Sequence, residues 1–160
     1  MSNRLNDIRD RLVAVFSGIN GSGSYTYDLS QPGRVLVGVA VAGSTPDVSL
    51  SLVQGDVEME PGPTLTRYSY RVTWHVGATA PASADTPDAR LTAANLMLAD
   101  LILALTGHRH LNNGTRDLVR DAVLTFRAAD GQSFGWAGHG VVAGEIVCEW
   151  ESITLDGEGL

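Results

Sequence analysis

The sequence predicts an α+β fold, a mostly antiparallel β-sheet with two helices packed on one face. Residues 3–17 and 87–106 repeat apolar side chains near every 3.6 positions, other stretches alternate apolar and polar residues, and Gly, Pro and Ser cluster between them. The chain has 160 residues, 44% apolar and 18% charged, which suits one globular domain with one core over residues 1–160.

In residues 3–17, Leu5, Ile8, Leu12, Val15 and Phe16 form one side, with Arg4, Asp7, Arg9, Asp10 and Arg11 largely opposite. That is an amphipathic helix, which Gly18 would end. The Gly-Ser run at 18–24 has the composition of a flexible connection. Tyr25, Tyr27 and Leu29 then alternate with Thr26 and Asp28, and Pro32-Gly33 turns the chain into a valine-rich strand at 35–42. Val48, Leu50 and Leu52 alternate with serine in a third strand. Residues 54–63 are acidic with two prolines and read as an exposed loop.

Residues 64–76 form the clearest strand, with Tyr68, Tyr70, Val72, Trp74 and Val76 on one face and Arg67, Ser69, Arg71, Thr73 and His75 on the other. Small residues at 77–86 make a connection. The second helix opens with Thr86 as N-cap, Pro87 at the first position and Asp88 in the first turn, and closes at Gly107. Leu91, Ala94, Leu98, Leu101, Ile102 and Leu105 make its core stripe, while Leu96 and Leu103 form a separate ridge, either two singly exposed leucines or a protein interface. Residues 118–127 hold a strand, alone or after a short helix. Asp130-Gly131 makes a hairpin turn, and a last strand at 141–153 alternates Ile146, Cys148 and Trp150 with Val147, Glu149 and Glu151.

The net charge of −7 and sequence pI near 4.9 argue against binding nucleic acid through its phosphates. All eleven basic residues are Arg. Cys148 stands alone, so no intrachain disulfide and no cysteine-based zinc site are expected. Residues 1–16 lack the apolar run of a signal peptide, and the apolar stretch at 91–105 falls short of a bilayer and contains Asn95 and Asp100. The expectation is a soluble protein made in the cytoplasm, without membrane contact.

No motif carries enzyme chemistry, and no catalytic residue, cofactor or metal is expected. Gly21-Ser22-Gly23-Ser24 precedes a strand rather than a helix and lacks a following Lys, so it reads as a linker rather than a phosphate cradle. His108 and His110 complement the end of the second helix. His139, between Gly138 and Gly140, has Ser133 or Asp130 as conceivable partners but no nucleophile elbow. Glu145, Glu149 and Glu151 share a strand face, as do Arg67, Arg71 and His75; if the two strands are neighbours, the charges pair across them. Across a subunit boundary the same charges would set register between protomers. Tyr68, Tyr70, Trp74 and Trp136 would line the cleft of an alternative small-molecule-binding domain.

The order of elements carries a resemblance that covers nearly the whole chain. An amphipathic N-terminal helix, Tyr25-Thr26-Tyr27-Asp28-Leu29-Ser30, a valine strand, the strand at 68–76, the helix through Ala93-Ala94-Asn95-Leu96-Met97-Leu98-Ala99-Asp100 and a closing strand at 141–152 together resemble the tail terminator (minor tail, tail-completion) proteins of long-tailed bacteriophages. The resemblance implies a virion protein at the head-proximal end of the tail, assembled in the host cytoplasm. Its role there would be a homohexameric ring that ends tail-tube polymerisation and joins tail to head. The implied partners are further copies of itself, the tail tube protein and the head-tail connector or neck proteins, with DNA only passing through the lumen. In such a ring Leu96, Leu103, Arg67 and Arg71 are the candidate oligomer interface. Glu145, Glu149, Asp56, Glu58 and Glu60 are the candidate lumen charges, since like charge keeps passing DNA from sticking. Another neck component, a connector or stopper, is the alternative of similar size and habit.

Overall fold

The first helix, α1 (Arg4–Ser17), starts where the Asn3 side chain accepts hydrogen bonds from the backbone N–H groups of Leu5 and Asn6, two of the donors that a helix start leaves without an internal partner. The computed structural model describes residues 3–62 and 67–152. After α1 come the strands β1 (Val35–Val37), β2 (Ser49–Pro61) and β3 (Tyr68–Pro81), the helix α2 (Pro87–Thr106), and the strands β4 (Asp121–Asp130) and β5 (His139–Ser152). A short 3₁₀ turn (Gly131–Phe134) joins the last two strands. They form one five-stranded sheet in the order β1-β2-β3-β5-β4, antiparallel except for β1, which runs parallel to β2. The fold class is therefore α+β, as the sequence predicts.

Alternation along β3 defines the two faces of the sheet. Tyr70, Val72, Trp74 and Val76 are buried on the inner face with Leu50 and Leu52 of β2 and Ile146, Cys148 and Trp150 of β5. Ile8, Leu12, Val15 and Phe16 of α1 and Ala93, Met97, Leu101 and Leu105 of α2 belong to the same core, so both helices cover this face. α2 lies against β3, β4 and β5, while α1 lies against α2 and β1. Gly140 permits the close approach of α2: a side chain there would collide with the backbone of Arg90 and Ala94. By length and composition alone α2 could cross a membrane, a longer apolar span than the sequence reading counted; here its buried side packs on the sheet.

Several boundaries differ from the sequence reading. Residues 54–61 are strand rather than loop, because β2 pairs with β3 down to Pro61↔Tyr68, past a bulge between Gln54 and Val57. Pro61 is tolerated as the last residue of a strand whose other side is open there; Pro63, like Thr64 to Thr66, lies outside the described residues. Residues 77–81 extend β3, paired with β5 from Gly77↔Ala143 to Pro81↔His139, so the connection to α2 is shorter than 77–86. Residues 25–29 are not a strand; an isolated bridge, Asn20↔Asp28, folds the segment back on the 18–24 turn. The valine strand stops at Val37, where Gly38 takes φ 119° and leads the chain away from β2. Leu118 and Val119 are buried in a loop with no helix before β4, and Ile153 lies outside the described residues.

Candidate interaction surfaces

The outer face of the sheet carries a ladder of cross-strand ion pairs, because the register sets Arg71 opposite Glu149 on one side and Glu58 on the other, and His75 opposite Glu145. Arg71 reaches Glu149 at 2.7 Å and Glu58 at 3.6 Å, Arg67 reaches Glu151 at 3.3 Å, and His75 Nδ1 lies 3.3 Å from Glu145. Hydrogen bonding to Glu149, followed by the charges of Glu149, Glu58 and Glu60, raises the pKa of the Arg71 guanidinium. All these side chains are substantially exposed, so each pair adds little stability. Their main effect is on the surface: much of its charge is paired within the protomer. Asp56 sits in the β2 bulge, and both it and Glu60 are exposed. Glu58, Glu60, Arg71, Arg120, Glu149 and Trp150 line part of a shallow cleft of about 210 Å³ at this end of the sheet.

The α2 face turned away from the core carries large apolar residues along both of its margins. Leu96 and Leu103 are exposed as the ridge predicts, at 42% and 45%. Leu91 and Ile102, which the sequence reading put in the core stripe, are equally exposed at 43% and 44%. The reason is a rotation of the helix. Its buried side runs through Arg90, Ala93, Ala94, Met97, Asp100, Leu101, Ala104 and Leu105, so two charged residues occupy places where apolar periodicity expects Leu. The result is two apolar ridges along ~18 Å of helix, Leu91 with Ile102 on one margin of the exposed side and Leu96 with Leu103 about 120° round on the other, with Thr92, Asn95, Ala99 and Thr106 exposed between them.

Arg90 and Asp100 are the residues that sequence reasoning missed. Arg90 is 4% exposed and binds Asp130 through Nε at 2.6 Å and Nη2 at 3.1 Å, and Asp85 through Nη1 at 2.5 Å. It ties the start of α2 to the end of β4. This pairing raises the Arg90 pKa and holds the Asp130 carboxyl below the ordinary carboxylate range. Asp100, 2% exposed, accepts the backbone N–H groups of Thr26 and Tyr27. Burial, then the charge of Asp100, raises the Tyr27 phenol pKa. The signal available in the sequence was their position on the side of the helix shared by Ala93, Met97 and Leu101.

The histidines are not brought together. His108 Nδ1 lies 3.3 Å from Arg11, His110 Nδ1 2.7 Å from the Arg120 carbonyl, and His139 meets Ala137 and Asp47 rather than Ser133 or Asp130. Among the described residues no group of three or more His, Cys, Asp or Glu side chains is placed to hold a metal ion. Tyr70 and Trp74 fill the core; Tyr70 stacks on Trp150 with ring centroids 5.5 Å apart. Burial pushes the Cys148 thiol up to about 12. No protein-family model matches the chain, and no curated protein is similar to it in sequence.

Proposed function

We propose that this chain is a ring-forming structural protein of a long-tailed bacteriophage, acting at the head-proximal end of the tail to end tube polymerisation and receive the head. The observation that carries the reading is the pair of exposed apolar ridges on α2, Leu91 with Ile102 and Leu96 with Leu103, on a domain whose opposite sheet face is polar and carries cross-strand charge pairs. A ring needs two different surfaces on each protomer, since only a head-to-tail contact closes into a cycle larger than a dimer. The α2 ridges supply apolar contacts for a neighbouring copy or tube subunit. On the outer sheet face Glu58, Glu145 and Glu149 are paired with Arg71 and His75, and exposed Asp56 and Glu60 add negative charge to a wall that suits a lumen past which DNA moves without adhering. The resemblance of the sequence's element order to that of tail terminators supports the same reading, and a net charge of −7 agrees with a channel that DNA crosses but does not bind.

The test is the mass of the purified protein by light scattering, with negative-stain imaging in the presence and absence of cognate tail tubes. Rings, or caps on tube ends, are the expected result. A monomer that ignores the tubes overturns the terminator reading and favours a connector or stopper.

A further inference from the structure

One stretch of the sequence has strand character that the fold leaves unused. Residues 35–42 read Val-Leu-Val-Gly-Val-Ala-Val-Ala, yet only Val35–Val37 pairs with β2. The pairing ends as Gly38 donates its N–H to the Leu52 carbonyl at 2.9 Å and turns away. Val37, the last paired residue, is 57% exposed; beyond Gly38, Val39 and Val41 stand at alternate positions and are 81% and 60% exposed. β-branched side chains at a two-residue spacing favour a strand, and here they have no neighbour. Local preference and tertiary environment disagree at this place, and such disagreements concentrate at functional segments.

At the opposite end of the sheet, β4 has the complementary shortage. It is ten residues long, keeps regular register with β5 from Asp121↔Glu149 to Asp130↔Gly140, and has no described strand on its other side. Ala122 points its N–H away from β5, to the Arg109 carbonyl at 2.9 Å. Antiparallel alternation therefore turns the backbone groups of Leu124, Phe126 and Ala128 the same way, without partners among the described residues. The other open stretch of edge, β2 beyond β1, is blunted by its bulge and by Pro61; β4 has no bulge and no proline.

We infer that residues 38–42 of one copy add as a strand to the free edge of β4 in a second copy, a contact that deepens the ring reading and rests on it. β1 and β4 are the two ends of one sheet, so joining them is head-to-tail and repeats from copy to copy, whereas β4 against β4 would stop at a two-fold dimer. The joint also brings α2, which lies against β4, beside the next copy's α1, which lies against β1. Backbone hydrogen bonds supply the affinity, and the alternate valines supply apolar contact on one face of the added strand.

Disulfide trapping tests the contact, using the inert, buried Cys148 as a silent background. A chain carrying Val39→Cys is mixed under oxidising conditions with chains carrying Val123→Cys, Thr125→Cys or Arg127→Cys, three exposed β4 positions that scan the register. The expected result is a mixed disulfide dimer with one of the three in clear excess over the others. No mixed dimer with any of them, or β4 variants that link mainly to themselves, overturns the contact. In the second arm Ala128→Pro removes an outward N–H while sparing the β4–β5 ladder. Its melting curve should be preserved and its self-association weakened about tenfold; a folded variant that associates as the parent does overturns the inference. Light scattering of the parent chain separates the two failures. An oligomer without these cross-links refutes only the strand contact, whereas a monomer with and without tail tubes refutes the ring reading as well.

Discussion

Replacing Asp100 tests how the N-terminal segment is held to the core. Its Oδ2 accepts from Thr26 N at 3.0 Å and from Tyr27 N at 2.8 Å, and its Oδ1 lies 3.1 Å from Thr26 N. Asp100→Ala leaves both donors without an acceptor. A hydrogen bond to a charged group contributes about 1.5–3 kcal/mol and an unsatisfied buried donor costs about 1–3 kcal/mol. Thr26 is exposed and water can serve it, while Tyr27 is half-buried; the expected loss for the alanine variant is therefore about 3 kcal/mol. At ~2–4 °C per kcal/mol for a domain of this size, the melting temperature falls by about 6–12 °C. Asp100→Asn behaves differently, since an amide oxygen at the Oδ2 position still accepts both N–H groups; it loses only the charge and costs about 1 kcal/mol. Urea unfolding followed by tryptophan fluorescence measures both, and amide exchange at Tyr27 reports the local release. An alanine variant within about 0.5 kcal/mol of the parent, or an asparagine variant as unstable as the alanine one, refutes the reasoning.

Leu96→Asp and Leu103→Asp, at positions 42% and 45% exposed, should leave stability within about 0.5 kcal/mol while reducing assembly; a folded variant with unchanged mass by light scattering contradicts this. Cys148, buried with its thiol pushed up to about 12, should resist a thiol reagent at pH 8 in the folded protein and react fully in denaturant, as titration of the free thiol checks. The Asp130 carboxyl is lowered from 3.8 by its hydrogen bonds to Arg90, so the folded chain takes up that proton less readily than the unfolded chain. Its stabilisation is complete above the ordinary carboxylate value and is lost as pH falls through the lower folded value. Asp130→Asn should therefore flatten the loss of stability below about pH 4, measured by urea unfolding at successive pH values.

The elements with one wet face were legible in the sequence. β3 and β5 alternate cleanly because each has a solvated outer face, and their ion pairs followed from the same alternation once the strands proved adjacent. α1 was legible from its apolar periodicity, and the start of α2 because caps are local chemistry: Thr86 accepts from the Ala89 N–H as its position suggests. What escaped was decided by partners distant in sequence. The 25–29 segment alternates like a strand, but Asp100, 74 residues from Thr26, takes the backbone donors that a strand neighbour would have used. The acidic, proline-flanked 54–61 stretch looks like a loop until β3 pairs with it. The α2 stripe was rotated because Arg90 and Asp100 occupy core positions, and apolar periodicity cannot see a buried charge whose partners lie elsewhere. Among the candidate interaction surfaces, the Leu96 and Leu103 ridge was visible as excess apolarity; Leu91 and Ile102 became a second exposed ridge only through that rotation.

The place of β5 in the sheet constrains when the protein can fold. β5 follows every other strand in the chain yet lies between β3 and β4. During synthesis β1, β2 and β3 emerge early and β4 later, but no strand ladder joins β4 to them until residues 139–152 have cleared the ribosome and inserted, making ladders on both sides at once. Until then the growing chain exposes the β3 edge and an incompletely covered core, the condition in which nascent sheets aggregate or pair with the wrong chain. In this architecture β4 becomes the ordered edge of the sheet only on a chain whose β5 is already in place.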